Sequence, residues 1–176
     1  MMKDLVRMRT SIAEDMQQLL NEQIKIEAAS SAKYLAMASW CAEQGFVNSE
    51  AYLMTQAQEE REHMIKFFKY VNEAGGRAIS PEVAHIPHEF ESLRDIFETA
   101  LEQEIGVTNS IYKLVEAARK GRDFITEHFL QWFVQEQMEE EVNARRAVQL
   151  FDIIGEESGF HIYQIDKAIG KVRKQA

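Results

Sequence analysis

The chain has 176 residues, enough for one domain with a sizeable core, and a formal net charge of −9 from 29 acidic and 20 basic residues. That balance excludes a nucleic-acid surface, which needs a basic patch to neutralise phosphates, and it is compatible with cation handling. Only two prolines and eight glycines interrupt a composition rich in helix formers, so the expected class is all-α. The one cysteine, Cys41, allows no intrachain disulfide and suits a reducing compartment. No apolar run approaches the roughly 18 residues of a membrane span, and residues 1–10 do not read as a signal peptide. A soluble, cytoplasmic protein is the expectation.

Residues 1–10 read as an N-terminal extension to a four-helix bundle over residues 11–154. The first helix is expected from Ser11 to Gln44. Ser11 with Glu14 has the capping-box pattern, and Gly45 stops the helix. The second runs from Asn48 to Ala74 and ends at Gly75-Gly76. The third starts at Ser92, with Asp95 three residues on, and ends at Gly121. The fourth runs from Arg122 to Ile154 and ends at Gly155. After a break at Gly159, the segment 160–173 holds a short fifth helix over Ile162 to Val172. Short connections make the first and second helices antiparallel neighbours, and likewise the third and fourth. The link from Gly76 to Glu91 reaches roughly 53 Å when extended. A helix of the second one's length spans about 40 Å. One long crossover can therefore leave helices two and three parallel, which is the ferritin-like arrangement.

Each helix carries an inward seam stepped by three and four residues. The seams read Met16, Leu20, Gln23, Glu27, Ser30, Tyr34, Met37, Cys41, then Leu53, Gln56, Glu60, His63, Phe67, then Leu93, Phe97, Ala100, Glu104, Val107, Ile111, and Leu130, Phe133, Gln137, Glu140, Ala144, Ala147. Each is apolar and is interrupted mid-helix by a carboxylate. Glu27 to Glu60 and Glu104 to Gln137 are both 33 residues, and a shift of 77 maps the first hairpin onto the second. This pseudo-two-fold repeat puts Glu27, Glu60, His63, Glu104, Gln137 and Glu140 around one point at mid-bundle. Buried carboxylates at that density each cost several kcal/mol unless compensated, and the seams hold no matching Lys or Arg. A bound cation is the simplest compensation. Mostly oxygen donors with one imidazole suit Fe or Mn better than structural zinc. Glu60 is placed to bridge two ions, and two redox-active ions can pass two electrons to O₂ or peroxide.

The stretch Leu20-Asn21-Glu22-Gln23 through Glu27 and Tyr34 resembles the bacterial non-haem ferritins. So do Gln58-Glu59-Glu60-Arg61-Glu62-His63-Met64 and Phe129-Leu130-Gln131-Trp132-Phe133-Val134-Gln135-Glu136-Gln137. The resemblance implies Fe(II) oxidation coupled to iron storage and three iron positions. Glu27, Glu60 and His63 resemble the first, and Glu60, Glu104 and Glu140 the second, with Gln137 as a nearby hydrogen-bonding residue. Glu59, Glu136, Glu139 and Glu140 resemble the third. Tyr34 resembles the tyrosine of that family's site, so Glu60, Tyr34 and Gln137 are the expected catalytic set. The resemblance further implies a homo-oligomeric shell of 24 subunits acting on Fe(II) with oxygen or hydrogen peroxide. Gln137-Met138-Glu139-Glu140 departs from the second Glu-x-x-His of related di-iron proteins. Arg61 stands where bacterioferritins supply a haem-ligating methionine, so no haem is expected.

Other residues carry less chemistry. His85 and His88 in the crossover do not make a metal site by themselves, and His128 and His161 lack ligand-spaced partners. Trp40 and Trp132 read as packing residues, and Glu62 and Glu141 as solvated. Asp123 and Glu127 stand where ferritin shells have three-fold pores. Two other functions compete with storage. A di-iron redox enzyme that does not store iron is disfavoured by the missing second Glu-x-x-His. A metal-free structural bundle is disfavoured by the lack of cations on the seams.

Overall fold

The computed structural model describes residues 9–172. It contains five helices: α1 (Glu14–Gln44), α2 (Val47–Glu73), α3 (Leu93–Lys120), α4 (Phe124–Ile154) and α5 (Gly159–Ile169). There is no strand among the described residues, and no helix is long and apolar enough to cross a membrane. Most of the expected N-terminal extension, residues 1–8, and the last residue of the expected 160–173 segment lie outside the described residues.

The helix starts correct three expectations. Ser11 does not cap α1, because the helix begins at Glu14 behind an extended Ala13 that makes no side-chain cap bond. The first turn is instead supported by Glu14 and Asp15, whose charges suit a helix N-terminus, and Asp15 accepts from the Met16 N–H at 2.8 Å. Arg122 cannot open α4, since its φ of 56° is left-handed; Asp123 is the cap and accepts from the Thr126 N–H. Gly159 does not break α5 but starts it, with Ser158 accepting from the His161 N–H. The third helix behaves as its sequence implies. Ser92 accepts from Asp95 N–H, while Asp95 accepts in return from Glu91 N–H at 3.0 Å.

The core is divided into two apolar clusters, and their membership gives the topology. One joins Tyr34, Met37 and Cys41 at the end of α1 to Leu53 and Ala57 at the start of α2, Leu93 and Phe97 at the start of α3, and Phe151 at the end of α4. The other joins Met16, Leu20 and Ile24 to Phe67, Val71, Ile111, Leu114 and Leu130. Helices α2 and α3 therefore run parallel, and the crossover returns along the bundle. It is held against α1 along the way. Asn21 Nδ2 donates to Arg77 O and Asn21 Oδ1 accepts from Ile79 N–H. At the far end Phe90 packs edge-on to Trp40 at 6.3 Å.

Helix α5 is tied to the bundle by one carboxylate. The N-cap of α2 is Phe46, which offers no side-chain acceptor. The buried Asp166 of α5 supplies it from a distance. Its two oxygens accept from the backbone N–H and side-chain amide of Asn48, at 3.3 and 2.8 Å, and from the backbone N–H and hydroxyl of Ser49, both at 2.8 Å. These are charge-assisted bonds at the positive end of a helix. Ile165 and Ile169 bury the apolar face of α5 beside them.

Asp166→Ala should free both α5 and the first turn of α2 while leaving the bundle folded. Amide exchange at residues 47–50 and 159–169 should speed by about 10- to 100-fold, equivalent to about 1.4–2.7 kcal/mol of lost local stability. Unchanged protection at Ser49 would refute this tertiary cap.

Candidate metal centre

Between the two apolar clusters lies a polar layer. It holds Gln23, Glu27 and Ser30 of α1, Gln56, Glu60 and His63 of α2, Glu104 and Thr108 of α3, and Gln137, Glu140 and Asn143 of α4, all buried. Long regular helices put these residues at one depth because each seam advances by whole turns from a well-packed apolar end. All six mid-bundle residues read from spacing are in this layer, with Glu27 and Glu104 at 0% exposure and Glu60 at 1%.

Glu27, Glu60 and His63 each direct a ligand-type atom to a common point, with these atoms within 4.8 Å of one another. Four atoms of this group are buried without a hydrogen-bond partner: Glu27 Oε2, both oxygens of Glu60, and His63 Nδ1. Two of them, His63 Nδ1 and Glu60 Oε2, face each other at 3.9 Å, too far for a hydrogen bond. Buried polar atoms are normally hydrogen-bonded, so such a cluster is unusual. The remaining oxygens are held in place. Gln23 Nε2 donates to Glu27 Oε1 at 2.8 Å, and Gln56 Nε2 donates to Glu140 Oε2 at 2.9 Å. The Tyr34 hydroxyl donates to Glu104 Oε1 at 2.5 Å. Gln137 Nε2 donates to Glu104 Oε2 at 3.2 Å and lies 3.4 Å from Thr108 Oγ1. The set of hard oxygen donors with one imidazole fits iron or manganese.

The electrostatics follow from that crowding. Burial pushes the Glu27 carboxyl well above its ordinary range, and the nearby Glu60 charge adds to it. Burial, then Glu104, does the same to Glu60. Glu104 rises to about 7 through burial and the Glu140 charge, although hydrogen bonds from Tyr34 and Gln137 oppose the rise. Burial and the Glu104 charge raise the Tyr34 hydroxyl too, so it stays a donor. Without a cation the layer retains protons that a bound cation would displace.

The other sequence-predicted residues lie farther out. Glu59 and Glu136 are half-buried and, with Glu62, Lys66, Lys69, Trp132 and His63, line a cleft of about 430 Å³ between α2 and α4. Glu136 Oε1 is 3.9 Å from His63 Nε2. Glu139 is exposed and stands outside that lining. Trp132 packs edge-on against Phe133 at 4.9 Å, as expected, and does more. It is 41% exposed and stands edge-on to His63 at 5.5 Å, as a wall of the cleft. Trp40 does pack, against Phe46 and Phe90. His85, His88 and His128 are exposed, and His161 is 3.1 Å from Glu157. Asp123 is engaged in capping α4, and Glu127 pairs with Arg119 at 2.7 Å. Gln23 and Gln56 were visible on the seams, but the side-chain contacts that orient Glu27 and Glu140 were not.

The raised carboxyls give the metal-free protein a definite pH dependence. A carboxyl whose folded value exceeds its unfolded value binds more protons in the folded state, so its stability contribution is lost as pH rises. For Glu104 the window runs from 4.5 to about 7. Its contribution is on the order of 3 kcal/mol per chain, at about 1.4 kcal/mol per pKa unit. The melting temperature of the metal-free protein should fall from pH 5 to pH 8, and Glu104→Gln should flatten the slope. A slope identical to wild type in that variant would remove Glu104 as its source.

Comparison with known proteins agrees with this geometry. Residues 17–154 match the family model described as a ferritin-like domain. A probable bacterial non-heme ferritin-like protein of Haemophilus influenzae is 36% identical over 165 residues, 94% of this chain and 99% of its own length. A bacterial non-heme ferritin of Campylobacter jejuni is 38% identical over 161 residues, covering 92% of this chain and 96% of its own length. The crystal structure of an open pore ferritin from the archaeon Archaeoglobus fulgidus superposes with a TM-score of 0.87 at 39% identity, covering 91% of this chain and 97% of that one. With the family model spanning its bundle and such relatives along nearly its whole length, this chain belongs to the ferritin family.

Proposed function

We propose that this chain is a ferroxidase and iron-storage subunit. It oxidises Fe(II) at two adjacent positions inside the bundle and passes Fe(III) to a mineral within a hollow homo-oligomeric shell. The observation that carries the reading is the set of buried ligand-type atoms on Glu27, Glu60 and His63 that make no hydrogen bond, in a layer whose carboxylates outnumber its cations. The whole chain acts as one ferritin-like domain in a cytoplasmic setting.

In this reading Glu27, Glu60 and His63 hold the first Fe(II), and Glu60, Glu104 and Glu140 hold the second. Glu60 is shared, which keeps the two ions close. Gln23 and Gln56 orient Glu27 and Glu140 through their amide donors. Tyr34 and Gln137 fix Glu104 from two sides, so its carboxylate cannot swing away when the second ion leaves. Two Fe(II) supply two electrons. With two protons these reduce O₂ to hydrogen peroxide, or hydrogen peroxide to two waters. Glu59, Glu136 and Glu139, with Glu140 as a shared neighbour, form a third and more exposed position on the route outward.

The shell is supported by large apolar side chains left on the outer faces. Phe160 and Tyr163 of α5 are 66% and 54% exposed, and Ile153 is 78% exposed. A chain of 20.4 kDa in 24 copies gives about 490 kDa, which light scattering should find. A monodisperse monomer would contradict storage and favour a di-iron redox enzyme that holds no mineral.

Glu60→Ala should abolish fast Fe(II) oxidation and weaken both inner ions while leaving the shell assembled. Stopped-flow traces matching wild type would exclude the bridging role. Glu136→Ala with Glu139→Ala should keep the initial fast phase and two bound ions per chain in an anaerobic Fe(II) titration. It should change the iron oxidised per oxidant consumed, since one electron donor is lost. Three ions bound with unchanged stoichiometry would move the third position elsewhere.

A further inference from the structure

The cleft between α2 and α4 contains a cation as well as carboxylates. Lys66 is half-buried in its wall, and its Nζ lies 3.2 Å from the centroid of the Trp132 ring. That ring stands edge-on to the His63 imidazole, with planes 75° apart. His63 is 4% exposed and joins the cleft to the inner site: its Nε2 lies 3.9 Å from Glu136 Oε1 in the cleft, and its Nδ1, which makes no hydrogen bond, lies 3.9 Å from Glu60 Oε2. Glu59, Glu62 and Glu136 share the lining, yet among the described residues Lys66 has no carboxylate within 4.0 Å. An ammonium beside three carboxylates would ordinarily pair with one of them. Here the face of an indole holds it instead, and an indole face binds a cation without consuming a carboxylate oxygen.

We propose that Lys66 is a resident counter-cation that sets how loosely the outer cleft holds a metal ion. Parked on Trp132, its charge opposes an incoming cation at Glu59 and Glu136 without itself occupying a carboxylate oxygen. An ion there is held weakly and moves on, whereas without Lys66 the same carboxylates would trap it. Lys66 touches no reacting atom and acts through the field it imposes, so it is a positioning residue for cation transit. The inference rests on the proposed outer iron position and adds a determinant of its affinity.

The test uses assembled, metal-free protein titrated with Zn²⁺, a redox-inert probe, by calorimetry and tryptophan emission together. Wild type should show tight inner binding, then a weaker phase accompanied by a change in Trp132 emission as Lys66 is displaced. Lys66→Gln should tighten the weaker phase by about three- to tenfold at low salt, with inner binding unchanged, and added salt should narrow the difference. Lys66→Arg keeps the charge and the ring contact and should behave as wild type. A weaker phase in Lys66→Gln equal to wild type, with inner binding intact, overturns the role of Lys66 and leaves the inner centre standing. An Arg variant that behaves like the Gln variant also overturns it, because shape rather than charge would then govern. Absence of tight inner binding in wild type would overturn the metal-centre reading, and this inference with it.

Discussion

The structure depends on one unfavourable interaction, the burial of Glu27, Glu60, Glu104 and Glu140 in a single layer at the middle of the bundle. His63 is the one basic side chain beside these four carboxyls in the layer, and burial drives the carboxyls of Glu27, Glu60 and Glu104 toward their neutral forms. The apolar clusters on either side must carry the stability that this layer costs. They do so with large side chains fully removed from water, including Phe67 and Phe133 stacked at 4.1 Å on one side and Phe97 and Phe151 on the other. The helices are long because two apolar stretches are needed to hold one polar layer between them.

Such an arrangement keeps its ligands rigid when empty. The amides of Gln23 and Gln56 each fix one oxygen, of Glu27 and Glu140 respectively, and the Tyr34 hydroxyl and the Gln137 amide fix the two oxygens of Glu104. Supporting groups of this kind set ligand orientation before an ion arrives. The inner layer thereby differs from the outer cleft. In the cleft Glu59 and Glu136 are half-buried and cations stand among the carboxylates.

The bundle and its inner layer were legible in the sequence because regular α-helices preserve phase. Once Leu20 and Phe67 are placed inward, steps of three and four residues carry Glu27 and His63 to the same depth. The helix starts were less legible. Ser11 has the residue type of a cap, but the chain stays extended through Ala13, and Thr10 is bound to Ala74 O at 2.6 Å. Tertiary anchoring of the chain just before α1 overrode the local motif. The reading of Trp132 as a packing residue was incomplete for a related reason. Its size suggests packing, and only the neighbouring Lys66 and His63 reveal it as the wall of a cleft. Asp166 left no local signal, since its partners Asn48 and Ser49 are 118 and 117 residues away.

That separation has a consequence for the chain during its synthesis. The first turn of α2 leaves the ribosome long before Asp166, roughly 6–24 s earlier at about 5–20 residues per second. Through that interval the N–H groups of Asn48 and Ser49 lack their carboxylate. The α1–α2 hairpin is therefore born with one loose end. That end closes only when nearly the whole chain has been made, and a truncated product cannot close it.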